Sequence, residues 1–254
     1  MAITIKSKRE IELMAEAGKI LERVHNELEK ALHPGMSTKD IDTLGEKIIR
    51  SYGCIPSFLN YNGYPASICV SVNQEVVHGI PDKHRIIHEG DIVSLDAGVI
   101  YKGYHSDAAR THAVGEVSEE AKKLIQVTKE CFFEGIKYAK AGNHLFDISG
   151  AIGRYAEERG YGVVRDLCGH GIGTALHEAP EIPNYEVGRK GVKLRPGMTL
   201  AIEPMINIGT YEVDWLDDDW TVVTRDGSLS AHYENTILIT EGEPRILSLT
   251  CDNE

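Results

Sequence analysis

Apolar residues at Ile11, Met14, Ala15, Gly18, Leu21, Val24 and Leu28 recur with helical period and predict a helix over residues 7–32. Ser7 and Glu10 stand at capping-box spacing, and Pro34-Gly35 ends the segment. A second stripe, Ile41, Leu44, Ile48 and Ile49, predicts a helix from Ser37 to about Tyr52, with Gly53 as its stop. Two further helices are predicted over 119–139, opened by Glu119 and Glu120 where the helix dipole favours acids, and from about Phe146 to Arg159 before Gly160. Elsewhere the pattern is of short apolar runs. ICVSV (68–72), the first part of NQEVVHGIP, IVSLDAGVI, YHSDAARTHAV, MTLAIEPMINI, TVVTRDG and HYENTILIT each predict a strand. An aromatic stretch, CIPSFLNYNGYP (54–65), reads as a loop, as do HEAPEIPNYEVGRKG and YEVDWLDDDW. Residues 241–254 read as a polar tail with one apolar piece, RILSL. Pairs of helices followed by blocks of strands indicate an α+β chain.

Composition narrows the function. The chain has 254 residues, 42% hydrophobic and 26% charged, which suits one large domain or two halves around a shared core. A net charge of −12 argues against DNA or another nucleic acid as substrate, since phosphate binding wants a basic surface. The local basic cluster Lys6, Lys8 and Arg9 reads as a solvated face. The cysteines at 54, 69, 131, 168 and 251 are widely spaced, odd in number and form no CxxC, as expected of reduced thiols in the cytoplasm. No secretory signal and no bilayer-length apolar run is present.

Against that background the segment LDAGVIYKGYHSD stands out, because it places Asp96 and Asp107 in two strand-like runs joined at a Gly-containing turn. Burying an unpaired carboxylate costs far more than a strand gains. A divalent cation would compensate both acids. The alternatives are that Asp96 ends a strand and that Asp107 pairs with Arg110 or a histidine.

An internal repeat strengthens the metal reading. Asp40 answers Asp147, Gly53 answers Gly160, Gly90 answers Gly197 and Asp96 answers Glu203, all at one spacing. Cys69 answers Cys168 and His78 answers His177 at a second, and His105-Ser-Asp107 answers His232-Tyr-Glu234. The repeat, roughly 34–114 and 141–240, implies two similar helix–helix–strand halves about a pseudo-twofold axis within a single catalytic domain spanning 1–254. It gathers Asp96, Asp107, Glu203 and Glu234 into one cleft, where without cations they would repel. His170 in CGHGIG is matched in the first half by Ser71, so one half alone offers an imidazole there. Five such ligands suit two hard-to-borderline ions such as Mn, Fe or Co, and hence metal-assisted hydrolysis. His78 and His177, each three residues before a proline, could hydrogen-bond a substrate or shuttle protons. His105 and His232 are expected to support the site, and the acidic run 217–219 to be a solvated loop.

The segments DAGVIYKGYHSDAARTHAV, GHGIGTALHEAP, GMTLAIEPM and SAHYENTILIT resemble the signatures of type I methionine aminopeptidases, over nearly the whole chain. The resemblance implies the pita-bread fold, a central curved antiparallel sheet, and removal of initiator methionine from nascent chains when the second residue is small. It implies that Asp107 and Glu234 bridge two divalent ions (Co, Mn, Fe, Zn or Ni), that His170 and Glu203 complete one and Asp96 the other, and that Glu203 helps deprotonate the attacking water. It places His78 near the scissile amide and His177 near its carbonyl oxygen, and builds the methionine pocket from Phe58, Tyr61, Tyr64, Cys69, His78, Leu176 and Trp220. Phe58 and Leu176 depart from some bacterial members, which have Cys and Phe at these places; a volume-compensating pair reshapes the pocket and still fits methionine. The resemblance further implies a monovalent-cation site near Asn73, Glu75 and Ser230. A cytoplasmic monomer is expected, with the basic N-terminal helix as the candidate surface for ribosome contact. The sequence matches the short bacterial form, with neither the zinc-finger-like extension of some type I relatives nor the long insertion of type II enzymes.

Overall fold

The computed structural model describes residues 3–249; positions 1–2 and 250–254, Cys251 among them, lie outside the described residues. The helices are α1 (Lys8–Ala31), α2 (Thr38–Ser51), α3 (Glu119–Ile136) and α4 (Leu145–Glu157). Their starts follow from local hydrogen bonding. Glu10 accepts the Ser7 N–H at 2.7 Å while Ser7 caps the Glu10 N–H, and Asp40 and Ser37 repeat the exchange on α2. Ser118 caps α3, one residue ahead of its two leading acids.

The strands are β1 (Ile55–Pro56), β2 (Ile68–Val72), β3 (Glu75–Val77), β4 (Ile92–Tyr101), β5 (Tyr104–Ala113), β6 (Gly162–Val163), β7 (Gly169–Gly171), β8 (Glu178–Ile182), β9 (Thr199–Ile202), β10 (Met205–Asn207), β11 (Val213–Trp215), β12 (Val222–Thr224), β13 (Ser230–His232), β14 (Asn235–Leu238) and β15 (Arg245–Ile246). All the strand pairs are antiparallel. In one sheet β4 pairs with β1, β2 and β5; in another the order is β15-β14-β9-β7-β8. Two three-stranded sheets, β13-β10-β6 and β11-β12-β3, complete the set. One apolar core lies under α1 and α2 against β2 and β4, and another under α3 and α4 against β9 and β14.

The two halves differ in how they present their acids. Asp96 and Asp107 lie inside long continuous strands. The run MTLAIEPMINI instead breaks at Glu203-Pro204 into β9 and β10, because Pro204 has no N–H for the ladder. The facing run breaks at Tyr233-Glu234 into β13 and β14, and the Tyr233 N–H donates to the Pro204 carbonyl at 3.2 Å. At this double break Glu234 and Ala109 of β5 donate their N–H groups to each other's carbonyls, at 3.0 and 3.4 Å, which ties the halves together beside the acids.

Five readings of the sequence need correction. The aromatic stretch 54–65, read as a loop, opens with β1, which pairs with β4. The stretch read as the loop HEAPEIPNYEVGRKG contains β8, whose charged Glu178 and Glu181 and central Pro180 conceal a strand. The stretch YEVDWLDDDW contributes β11, and with β12 it forms a hairpin. RILSL is no part of a loose tail: β15 pairs with β14 and Leu247 is buried. Lys6 does not belong to a solvated basic face, being 7% exposed. The Leu247 carbonyl also explains Gly18, where an added methyl on α1 would overlap it. Gly18→Ala should therefore destabilise the protein by about 2–3 kcal/mol, an overpacking cost readable as a lower midpoint in urea unfolding; a neutral midpoint would refute this account of α1 packing.

Candidate metal centre

Register decides which side chains meet. Asp96 pairs across the β4–β5 ladder with Ala109, and Asp107, two residues away on β5, faces the same side of the sheet. Their neighbours are small: Asp107 itself pairs with Gly98, where a methyl would press on Ser57 and Phe58. His170 on β7 pairs with Ala201 of β9, so it shares a face with Glu203, two residues on. The Asp107 backbone is fixed independently of its carboxylate. Its N–H donates to the Thr236 hydroxyl at 2.9 Å, and that hydroxyl donates to its carbonyl at 3.0 Å.

The ligand-bearing atoms of Asp107, His170 and Glu234 all lie within 4.8 Å of one another. His170 Nε2 is 3.5 Å from Glu203 Oε1 and 3.9 Å from Asp107 Oδ2. Asp96 reaches the same cavity from β4. Arg110 does not neutralise the acids, as one sequence alternative had it; its guanidinium donates to the Ala109 and Glu234 carbonyls and to Asn235.

The donors fit divalent ions. Asp96 Oδ1, Asp107 Oδ1, Glu203 Oε1 and Glu234 Oε1 are buried and have no hydrogen-bond partner among the described residues. Burial pushes the Asp96 carboxyl up to about 7. Burial and then Asp96 push Asp107 well up; burial and neighbouring acids do the same to Glu203 and Glu234. His170 Nδ1 lies 2.9 Å from the Gly171 carbonyl and must donate its N–H there, so Nε2 turns a lone pair toward the carboxylates. Burial lowers the His170 pKa to about 3, which keeps that lone pair unprotonated. Lone pairs facing lone pairs are stable around a cation and repel without one.

All thirteen residues expected at the site line one cavity of about 130 Å³, together with Asn62. Asn62 was missed, although Asn62-Gly63 is a turn dipeptide inside the aromatic loop; its φ is +48°. Phe58, Tyr64, Cys69 and Leu176 are buried in one apolar cluster, with Tyr61 and Trp220 packed on it. The Tyr64 hydroxyl donates to the Gly79 carbonyl at 3.0 Å. Asp218, read as solvated, accepts the Trp220 and Thr221 N–H groups at 2.9 and 2.7 Å and so sets the approach of Trp220.

The histidines frame the mouth. Tyr61 OH and His177 Nδ1 are 2.8 Å apart, and the His177 ring stands edge-on to His170 with centroids 4.2 Å apart. His78 has φ +59°, a left-handed conformation unusual for a histidine, and burial lowers its pKa to about 4. His105 Nδ1 contacts Ser57 Oγ at 3.0 Å, and buried His232 lies 4.0 Å from Glu203. A larger cleft of about 740 Å³ shares His78, His170, His177 and Glu203 with the cavity and runs outward past Cys168, Asp166 and Glu181.

Comparison with known proteins agrees with this geometry. Residues 12–241 match the family described as metallopeptidase family M24. The chain is 59% identical over 247 residues to a methionine aminopeptidase of Clostridium acetobutylicum, covering 97% of this chain and 99% of that one. The crystal structure of methionine aminopeptidase from Thermotoga maritima superposes with a TM-score of 0.96 at 47% identity, over 98% of this chain and 100% of that one. An Xaa-Pro dipeptidase from Bacillus anthracis shares the fold more distantly, with a TM-score of 0.77 and 27% identity over 97% of this chain and 62% of its own. The chain has the pita-bread fold and belongs to metallopeptidase family M24, among the bacterial type I methionine aminopeptidases.

Proposed function

We propose that this enzyme removes initiator methionine from nascent proteins at a dinuclear centre held by Asp96, Asp107, His170, Glu203 and Glu234, and prefers a small second residue. The observation that carries the reading is the joining of two environments in one cavity: a carboxylate cluster that needs cations, and an aromatic-lined apolar pocket with room for a single side chain. In the loaded site the chemistry supplied is a water of lowered pKa and polarisation of the scissile carbonyl. Glu203 accepts the proton of the attacking water. Tyr61 donates to His177 Nδ1, which leaves the Nε2–H of a neutral ring to hydrogen-bond oxygen charge developing on the carbonyl. His78, neutral at pH 7, hydrogen-bonds the scissile amide. The methionine side chain rests on Phe58, Tyr61, Tyr64, Cys69, His78, Leu176 and Trp220. The second residue sits where cavity and cleft share His78 and His177, which favours small side chains.

The proposal extends to Co, Mn, Fe, Zn or Ni as the ions. It includes a monovalent cation near Asn73, Glu75 and Ser230, where the Ser230 N–H donates to the Asn73 carbonyl at 2.9 Å. It takes the chain as one catalytic domain of two related halves, acting as a monomer in the cytoplasm. No helix among the described residues is long and apolar enough to cross a membrane. Contact with the ribosome would rest on exposed Lys8 and Arg9, since Lys6 is buried. The test is hydrolysis of Met-Ala-Ser against Leu-Ala-Ser with added Mn or Co. Methionine should be preferred by at least about tenfold, with turnover lost in chelator. Equal turnover of both peptides, or selective cleavage of Xaa-Pro peptides, would sink the assignment.

A further inference from the structure

The segment ahead of α1 is laid across the second half of the chain. Lys6 donates its N–H to the Gly197 carbonyl at 2.8 Å, and Ile5 fills the space beside Gly197 that a side chain there would need. The Lys6 side chain then turns inward and is 5% exposed. Its ammonium donates to Glu178 Oε2 at 2.6 Å and to the Thr4 hydroxyl. The Thr4 hydroxyl donates to the same Oε2 at 2.6 Å. Glu178 Oε1 accepts the Ala175 N–H at 3.3 Å, so one carboxylate joins the strap to the turn 173–178. Gly173 makes the arrangement fit, since a methyl there would overlap both Lys6 and Glu178. Burial pushes the Glu178 carboxyl up, yet the hydrogen bonds from Lys6 and Thr4 outweigh it and hold the carboxyl below its ordinary range.

A buried ammonium is costly unless paired, and a surface lysine would anchor a strap without that cost. What the cluster around the buried Lys6 ammonium holds is the turn that carries Leu176 into the apolar pocket and His177 beside Tyr61 and His170. Thr174, Ala175 and His177 are exposed, so packing alone does not fix this turn. We propose that Lys6, with Thr4, is a positioning residue for the reaction: through Glu178 it sets the place of His177 and Leu176 and thereby the turnover and the fit of the substrate side chain. The inference rests on the roles given above to His177 and Leu176.

The test uses the metal-loaded full chain with Met-Ala-Ser and its norleucine analogue. Lys6→Met keeps the length of the side chain and removes the charge. Its kcat/KM per metal-loaded site should fall by on the order of tenfold to a hundredfold, as a small misplacement of catalytic groups does. Discrimination between methionine and norleucine should shrink, and amide hydrogen exchange over 173–178 should speed up, with metal content unchanged. Thr4→Val should move the same readouts the same way by less, and it decides the matter if Lys6→Met does not fold. Lower melting temperatures with kcat, KM and discrimination all unchanged would show a merely structural cluster and overturn the proposal. His177→Ala separates the two levels. If it leaves kcat/KM unchanged, the reading of the site fails and the clamp with it. If it costs activity while Lys6→Met and Thr4→Val cost none, the clamp alone fails.

Discussion

Asp107→Asn should lower kcat for Met-Ala-Ser by on the order of a thousandfold or more and reduce the metal retained after dialysis. Asp107 is one of three residues whose ligand atoms lie within 4.8 Å of one another, and it is 4% exposed, so no solvent charge can replace its own. The substitution should not disturb the strand. The Thr236 hydroxyl holds the Asp107 backbone at both N–H and carbonyl, and Asn is nearly isosteric with Asp. The same change should have the opposite sign on stability once metal is stripped. In chelator the wild-type centre crowds four carboxylates with unpartnered buried oxygens, and the variant has one fewer like charge among them. The chelated variant should therefore melt above the chelated wild type at pH 8 while remaining inactive. Calorimetry in chelator, paired with metal analysis and single-substrate kinetics, checks both signs. Retained turnover with unchanged metal content would remove Asp107 from the centre, and would equally expose a contaminating peptidase.

The site was more legible in the sequence than the sheets were, for a physical reason. An acid inside an apolar run is conspicuous wherever it sits, because burial makes it costly; Asp96 and Asp107 announce themselves before any fold is known. The helices were legible through contiguous signals, Ser7 with Glu10 and Ser37 with Asp40, which act within one turn. Strand ends depend on partners distant in sequence. Pro204 marks a break in its own strand, but nothing local says that the gap matches one at Tyr233-Glu234; yet that double break is what turns Glu203 and Glu234 into the cavity. A three-residue strand such as β11 carries too few positions for a period to show. Lys6 was hidden for the same reason. A charged residue in a polar stretch reads as solvated; Asp218 is indeed exposed while it holds Trp220, but only tertiary structure reveals that Lys6 enters the interior against Glu178.

Stripping the metal should lower the melting temperature by on the order of 10 °C at pH 8, and by much less at pH 5. The sign follows from the four acids. In the metal-free fold Asp96 is pushed up to about 7 by burial, and Asp107, Glu203 and Glu234 are pushed up by burial and by one another. A carboxyl raised in the folded state binds its proton more tightly there than in the unfolded chain. Metal-free stability is therefore greatest below the unfolded carboxyl range near pH 4, and is lost as pH rises through the folded values toward 7 and above. The bound ions act in the opposite direction. They require deprotonated ligands, so their stabilisation grows with pH over the same window as protons cease to compete. The two trends add, and the gap between loaded and chelated protein should widen steadily from pH 5 to pH 8. Scanning calorimetry at four pH values, with and without chelator, measures it. A gap that is absent at pH 8, or that is larger at pH 5, would mean that the four carboxylates are balanced by something other than cations, and the assignment of Asp96, Asp107, His170, Glu203 and Glu234 as a metal centre would fall.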